Sequence, residues 1–293
     1  MGDNLRPDES RRKQIYSAIH RDKSSPCIIM GILNVTPDSF HADSRRLELD
    51  DAVNRGLEMW EQGAIWLDIG GESTRPGADE VDVEEEIRRV IPVIKALRKK
   101  KPDGLISIDT RRAIVAKEAI DAGADMVNDV SALSDPEMAD VIVKSGCAIC
   151  LMHMQGVPQE MQKNPNYSDC ISEVSSFLLE KAGLLTDMGH PSQLIILDPG
   201  IGFGKLIEHN LELLNNSNIF TNSGFSTLWG ISRKSIIGQI TGKIDPKDRL
   251  YGTLASSAYA FSNQIDILRV HDVDEHNDFF KVLIALNNSN STD

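Results

Sequence analysis

Residues 105–130 read LISIDTRRAIVAKEAIDAGADMVNDV and contain one complete strand–helix–strand pattern. A strand-length apolar run ends on Asp109, a segment with helical periodicity starts near Arg111, and a second apolar run covers 125–129. Gly123 stands between the helix and the second strand, where the left-handed backbone that ends many helices costs glycine little. The stretch therefore predicts a βαβ unit, in which a helix joins two parallel strands.

The same pattern repeats along the whole chain. The predicted strands cover 27–33, 64–70, 105–109, 125–129, 147–152, 193–198, 227–232 and 266–270. The predicted helical segments cover 49–62, 81–101, a stretch from 111, a stretch from 135, 169–187, 206–214, parts of 233–262 and a stretch from 274. This alternation shows no break in composition, so it predicts one (β/α)8 TIM barrel, with the active site at the C-terminal ends of the strands, rather than two doubly wound domains. The predicted division is an N-terminal extension at 1–26, the barrel at 27–286 and a polar tail at 287–293.

Composition limits the classes of partner. The chain has 293 residues, a formal net charge of −13 and a pI near 5.0. Binding to nucleic acid or to an anionic membrane needs a basic face, so neither is expected, and an anionic substrate would need a local cluster of cations. No apolar stretch approaches the roughly 20 residues of a membrane helix, and the start of the chain lacks the apolar segment of a secretory signal. We therefore predict a cytoplasmic protein.

Two further patterns favour structural roles. The helix predicted at 81–101 has acidic residues at 84–86 and lysines at 99–101, as expected for an outer helix with solvated charges. Cys147 and Cys150 form a CxxC motif, but strand alternation directs them to opposite faces. We predict buried thiols there rather than a redox or metal site.

Polar side chains stand where the apolar strands end. They are Asn34, Asp68, Asp109, Asn128, His153, Asp198, the group at 232–234, and the pair Arg269 and His271. Asp109, Asn128 and Asp198 supply acceptors and an amide that suit the N–H groups of an aminopyrimidinone ring. Two alternatives stay open at this point: Asp109 could cap the following helix, and the phrase DPGIGFGK at 198–205 could be only a glycine turn, with Lys205 as a cap or a ligand. For His153 we favour a structural role.

The loops and the last strand supply groups for an anion. Asn34 could coordinate Mg²⁺ or contact a phosphate oxygen. The phrase GGESTRPGA at 70–78 has the glycines of a loop that closes over a substrate, and SRKS at 232–235 opens a helix, so its N–H groups, Arg233 and Lys234 suit an anion. Arg269 and His271 point two cation-capable side chains to one side of their strand.

Eight of these phrases together resemble the dihydropteroate synthase family. They are GILNVTPDSF, WLDIGGESTRPGA, SIDT, VNDVSAL, CLMHMQG, ILDPGIGFGK, GISRKS and LRVHDV, in family order and at family spacing over residues 27–285. The resemblance implies a folate-pathway transferase that condenses 6-hydroxymethyl-7,8-dihydropterin diphosphate with 4-aminobenzoate and releases diphosphate by an SN1-like step. It also implies a Mg²⁺ cofactor, a homodimer and a target of sulfonamides.

The resemblance further implies roles for individual residues. The catalytic groups would be Asp109, Asp198, Lys234, Arg269 and His271. The pterin would be held by Asp109, Asn128, Asp198 and Lys234, with Met152 and Phe203 lining its pocket. The diphosphate would contact Asn34, Arg75, Arg269 and His271, with Mg²⁺ at Asn34. The aminobenzoate would contact Phe40, Thr74, Pro76, Ser232 and Lys234.

One segment departs from the family pattern. Where the family has Ser-Asp-Gly-Gly after the first phrase, this chain has His41-Ala42-Asp43-Ser44. This departure keeps open a catalytically silent homologue that binds pterin without turnover. A second alternative is a pterin-binding methyltransferase that uses methyltetrahydrofolate, although such enzymes lack the SRKS and RVH features. An unrelated phosphate-binding barrel is a third.

Overall fold

The computed structural model describes residues 7–35, 42–72, 80–156 and 160–289. Eight parallel strands form a closed barrel in sequence order, so the predicted (β/α)8 fold is confirmed. The strands are β1 (Ile28–Asn34), β2 (Trp66–Gly70), β3 (Leu105–Asp109), β4 (Met126–Asp129), β5 (Ala148–Met152), β6 (Ile195–Asp198), β7 (Ser226–Trp229) and β8 (Ile267–Val270). Pairing of β1 with β8, Ile28 opposite Ile267, closes the ring.

Helices surround the barrel. They are α1 (Glu9–Ser17), α2 (Ala42–Glu61), α3 (Val83–Lys100), α4 (Ala113–Asp121), α5 (Met138–Ser145), α6 (Cys170–Asp187), α7 (Ile207–Asn215), α8 (Asn218–Thr221), α9 (Ser235–Thr241), α10 (Leu250–Ser262) and α11 (Val273–Ser289). Short 3₁₀ turns lie at Ser192–Leu194 and Pro246–Arg249. Among the described residues, none of the helices combines the length and apolar character needed to cross a membrane.

Some predicted boundaries were wrong. α2 begins at Ala42 rather than 49, because the residues 42–48 are mostly polar and give little apolar periodicity. β7 ends at Trp229 rather than 232, so Ser232 lies in the loop that follows the strand. The last helix, for which no end was predicted, is α11 and extends to Ser289.

The N-terminal segment packs against the barrel. Ile15 and Ile19 have no exposed surface and join a cluster that includes Trp66 and other side chains of the barrel interior. The indole nitrogen of Trp66 donates to the carbonyl of Ala18 over 2.8 Å. Arg11 donates to both carboxylate oxygens of Asp125, each over 2.7 Å, just before β4. Residues 7–26 therefore cover the end of the barrel opposite the strand C-termini.

The cysteine prediction is confirmed. All four cysteines are buried and free. Cys150 lies in the cluster inside the barrel, whereas Cys147 lies in the cluster between the barrel and its helices. Burial raises the pKa of the Cys147 thiol to about 12, which keeps it protonated and unreactive.

One prediction about charged groups was wrong, and one of the open alternatives is excluded. Glu86, expected to be solvated, is 1% exposed and forms an ion pair with Arg112, which precedes α4. The partner lies on another element, so the local charge pattern did not reveal it. The possibility that Asp109 caps α4 is also excluded, because the carboxylate of Asp135 accepts from the N–H of Ala113 over 2.8 Å instead.

Candidate active site

Side chains from several strands meet at the C-terminal end of the barrel. In the strand register, Asp109 stands beside Gly70 of β2 and Asn128 of β4, so the side chains of Asp109 and Asn128 lie at the same level of the barrel. Asp198 ends β6, and Arg269 belongs to β8. Asp109, Asn128 and Asp198 are all buried. Four of the strand-end residues predicted to converge, Asp109, Asn128, Asp198 and Arg269, are therefore brought together.

Arg269 bridges two carboxylates. Its Nε donates to Asp68 Oδ2 over 2.5 Å, and its Nη2 donates to Asp109 Oδ2 over 2.5 Å. Burial raises the pKa of Asp109 to about 7, with Arg269 opposing this effect and Asp68 adding to it. One guanidinium shared by two buried carboxylates does not fully offset their burial, so the pKa of Asp109 stays above its ordinary value.

A second charged pair lies across the pocket. Lys234 Nζ donates to the carbonyl of Ile201 over 2.5 Å and lies 4.2 Å from the centre of the Phe203 ring. A Cβ atom added to Gly230 would lie 3.8 Å from Lys234 Nζ and 3.9 Å from Asp198 Oδ2, so both groups face this glycine. Burial lowers the pKa of Lys234 to about 8, while Asp198 opposes the shift. Burial also raises the pKa of Asp198.

The glycine turn after β6 is held by Lys205. Gly200, Gly202 and Gly204 have φ angles of 68°, 84° and 61°. A Cβ atom on Gly200 would lie 1.8 Å from the carbonyl oxygen of His153, so no other residue fits this approach. The ammonium of Lys205 is buried and donates to the carbonyls of His153, Gly200 and Phe203. Lys205 thus stabilises the turn, and the suggestion that it binds a ligand finds no support.

Ser232 and His271 are adjacent. Ser232 Oγ lies 3.0 Å from His271 Nδ1 and accepts from the backbone N–H of His271 over 3.2 Å. Arg233, expected among the anion-binding groups, instead forms an ion pair with Asp272. The helix that follows, α9, has only 7 residues. Of the predicted SRKS features, Lys234 lies at the pocket beside Phe203, whereas Ser232 contacts His271 and Arg233 binds Asp272.

The predicted metal ligand lies near the carboxylates. A Cβ atom on Gly70 would lie 3.7 Å from both Asn34 Oδ1 and Asp109 Oδ2. The described ranges contain no cluster of three or more His, Cys, Asp or Glu side chains that could hold a metal. An amide oxygen is a suitable ligand for Mg²⁺, which often keeps waters and substrate phosphates as its other ligands. The residues present thus fit a Mg²⁺ ion held jointly by Asn34 and an anionic substrate.

The remaining predicted residues divide into two groups. Met152 is buried at the end of β5, and its Cγ would lie 3.3 Å from a Cβ atom on Gly200, which places it beside the glycine turn. Phe40, Thr74, Arg75 and Pro76 lie outside the described residues, and so does His41.

Sequence reasoning gave no role to Asp68 or to Glu72. Asp68 was recognised only as a strand end. Glu72 follows β2 and binds Arg111 and Arg112, which in turn bind Glu80. Glu72 and Glu80, which stand on either side of 73–79 in the sequence, thus bind the same two arginines. Only the position of Asp68 inside the phrase WLDIG hinted at its involvement.

A parallel barrel that gathers carboxylates, an amide and cations at its strand ends defines a class of barrel enzymes for small polar ligands. The model of the family described as pterin binding enzyme matches residues 30–271. Dihydropteroate synthase of Haemophilus influenzae is 44% identical over 262 residues, covering 89% of this chain and 94% of the relative.

Solved structures agree with the sequence comparison. Xanthomonas albilineans dihydropteroate synthase with 4-aminobenzoic acid has a TM-score of 0.83 and 40% identity, covering 90% of this chain and 94% of that one. Yersinia pestis dihydropteroate synthase in a sulfonamide drug complex has a TM-score of 0.83 and 39% identity, covering 92% and 96%. The chain belongs to the dihydropteroate synthase family of pterin-binding enzymes. The resemblance drawn from the sequence motifs is therefore confirmed.

Proposed function

We propose that this chain condenses 6-hydroxymethyl-7,8-dihydropterin diphosphate with 4-aminobenzoate, giving 7,8-dihydropteroate and diphosphate, in folate biosynthesis. The chain is a transferase, as its family membership shows. The roles proposed for individual residues rest on one observation: buried acceptors and cations converge on one pocket. The acceptors are Asp109, Asn128 and Asp198, and the cations are Arg269 and Lys234.

The acceptors suit the N–H groups of a pterin. Asn128 Oδ1 is buried and has no hydrogen-bond partner, a costly state that a ligand donor would relieve. Asp198 uses Oδ1 to accept from the N–H of Gly200 over 2.8 Å, which leaves Oδ2 for the ligand. We assign pterin binding to Asp109, Asn128, Asp198 and Lys234, with Met152 and Phe203 against the ring.

The cations suit the leaving group. The chain as a whole is acidic, so a diphosphate needs local positive charge. Nε and Nη2 of Arg269 already bind carboxylates, so we assign Nη1 to the diphosphate, together with His271, Asn34 and Arg75. When bound, Mg²⁺ at Asn34 would neutralise charge on the diphosphate oxygens.

The reaction follows a dissociative course in this proposal. The bond between the pterin methylene carbon and the diphosphate oxygen breaks first, with its electron pair leaving on the oxygen. The positive charge on the pterin is stabilised by Asp109 and Asp198, and the negative charge on diphosphate by Arg269 and His271. The arylamine nitrogen then attacks the methylene carbon and releases one proton to solvent. Ser232 and Lys234, with Phe40, Thr74 and Pro76, would hold the arylamine, and a sulfonamide would compete there.

We also propose a cytoplasmic homodimer. Three apolar side chains of the late helical region are strongly exposed: Ile240 at 60%, Ile244 at 91% and Tyr251 at 84%. They belong to α9, to α10 and to the connection between these helices. An apolar patch of this kind is typical of a protein interface. Sedimentation of the wild type and of Ile244→Glu tests this, and a monomeric wild type would exclude the dimer.

A steady-state assay of diphosphate release, with and without 4-aminobenzoate, tests the activity. Release that depends on the arylamine is expected, and Asp198→Asn should lower kcat/KM by about 100-fold or more. Asp266→Asn, at a buried carboxylate near the start of β8, serves as the control and should keep its activity. Tight pterin binding without release would instead indicate the silent homologue suggested by His41-Ala42-Asp43-Ser44.

A further inference from the structure

We infer that Asp68 is a positioning residue that determines whether the pterin pocket presents hydrogen-bond acceptors or donors to its ligand. It would do so by accepting hydrogen bonds from Asn128 and Arg269 in the side-chain layer below the pocket. This inference rests on the proposed function, because it concerns how the same pocket distinguishes donors from acceptors on its ligand.

Asp68 lies one layer below the pocket. In the strand register it stands opposite Ser107, two residues before Gly70 and Asp109 form the next pair. Its side chain is 0% exposed. A group at this depth supports the residues above it.

One oxygen of Asp68 binds both neighbours. Oδ2 accepts from Arg269 Nε over 2.5 Å and from Asn128 Nδ2 over 3.0 Å. Both partners of this oxygen are N–H donors, so Oδ2 accepts from each of them. Asn128 must therefore turn its NH₂ group towards Asp68.

The orientation of Asn128 decides what the ligand meets. With Nδ2 bound to Asp68, Oδ1 is the remaining polar end, and it is buried without a partner. The pocket therefore presents an acceptor at this position, beside the carboxylate acceptors of Asp109 and Asp198. A ligand edge rich in N–H donors fits this set, and an edge rich in carbonyl oxygens does not.

The same oxygen fixes the arginine. Arg269 has a long side chain, and its binding to Asp109 alone would leave it free to pivot when a ligand engages Asp109. The Nε contact with Asp68 restrains the guanidinium at a second point. We expect Arg269 to stay in the pocket for this reason when the ligand binds.

The decisive variants are Asp68→Asn and the double variant Asp68→Asn/Asn128→Asp. In the single variant two amides face each other, so residue 68 can donate to Asn128 and allow that amide to reverse. In the double variant the amide at 68 donates to a carboxylate at 128, which presents an acceptor again. Asp266→Asn is the matched control, since Asp266 is also a buried carboxylate, directly before β8, bound to Thr227 and Lys23.

Calorimetry should measure the binding of 6-hydroxymethyl-7,8-dihydropterin diphosphate and of the dihydropterin alcohol without diphosphate. Asp68→Asn should weaken both by about tenfold or more, and the double variant should recover most of the alcohol affinity. The KM for 4-aminobenzoate should stay unchanged. Asp266→Asn should lower Tm but leave both affinities intact.

Several results would overturn the inference. Wild-type affinity in folded Asp68→Asn would do so, and so would a folded double variant that binds the alcohol no better than Asp68→Asn. If Asp68→Asn does not fold, the double variant decides alone, and its failure to bind the alcohol counts against the role. A wild type that neither binds the pterin nor releases diphosphate would instead refute the proposed function.

Discussion

The ammonium nitrogen of Lys205 lies 3.0 Å from Nδ1 of His153, and both side chains are buried. Burial lowers the pKa of Lys205 to about 7. Three carbonyl oxygens, which can only accept, also surround this nitrogen, so it acts as the donor, its N–H groups are shared among four acceptors, and Nδ1 of a neutral His153 accepts. Burial, followed by the charge of Lys205, lowers the pKa of His153 to about 3. The pair ties the end of β5 to the glycine turn after β6.

Replacing Lys205 should loosen that turn. Lys205→Met keeps the length of the side chain but leaves the carbonyls of Gly200 and Phe203 without their donor. We expect a loss of about 2–3 kcal/mol in the free energy of unfolding. We also expect a lower kcat/KM, because Phe203 and Asp198 flank the turn. Urea denaturation and the diphosphate assay measure these effects. Lys117→Met, at an exposed position of α4, is the control, and equal behaviour of the two variants would contradict the role of Lys205.

The pH dependence of kcat/KM should be bell-shaped. Asp109 must be ionised to accept pterin N–H groups, and burial raises its pKa to about 7, so activity should rise with pH through that value. Lys234 must be protonated, and burial lowers its pKa to about 8, so activity should fall above that value. The maximum should therefore lie between these two values.

A substitution separates the two limbs of this profile. Lys234→Arg keeps the positive charge at all accessible pH values, so the alkaline limb should move upwards while the acidic limb stays in place. Initial rates at substrate concentrations well below KM measure the profile. A wild-type profile that is flat from about pH 6 to about pH 9 would be incompatible with these assignments.

Breaking the buried pair of Glu86 and Arg112 should destabilise the fold. Arg112→Met leaves Glu86 buried without its cation, at an expected cost of about 3–5 kcal/mol in the free energy of unfolding. Arg112→Met/Glu86→Leu should recover much of this loss, because no buried carboxylate remains at position 86; the loss of the Arg112 contacts with Glu72 and Glu80 is not recovered. Arg88→Met removes the exposed ion pair with Glu85 on α3, the helix of Glu86, and should change the free energy of unfolding by less than about 1 kcal/mol. A double variant no more stable than Arg112→Met would contradict this view of the pair.

The N-terminal segment should contribute to stability but not to chemistry. Ile15→Ala removes a fully buried side chain of α1 and should lower the free energy of unfolding by about 2–5 kcal/mol. Because α1 covers the end of the barrel away from the site, kcat/KM at low temperature should not change. Tyr16→Ala, at the half-exposed neighbouring position, should cost less than Ile15→Ala, as thermal unfolding can show.

The sequence revealed groups whose position follows from local pattern. Asp109, Asn128 and Asp198 each end an apolar run, and parallel strands bring such ends together. It did not reveal groups defined by distant partners. Asp68 acquires its role from Arg269, 201 positions away, and Glu86 is buried because Arg112 lies opposite it. Arg233 was misassigned for the same reason, since its partner Asp272 lies in the loop after β8.

The contacts of residues 7–26 also constrain how the chain reaches its fold. Arg21 binds the carbonyl of Ile265, 244 positions later, and Lys23 binds Asp266. Loops of this length close slowly, and the partners do not yet exist while most of the chain is being synthesised. Arg21 and Lys23 therefore stay without these partners until residues 265 and 266 have been made. Closure of this end of the barrel is thus a late event of synthesis, because residues near the start of the chain bind residues made close to its end.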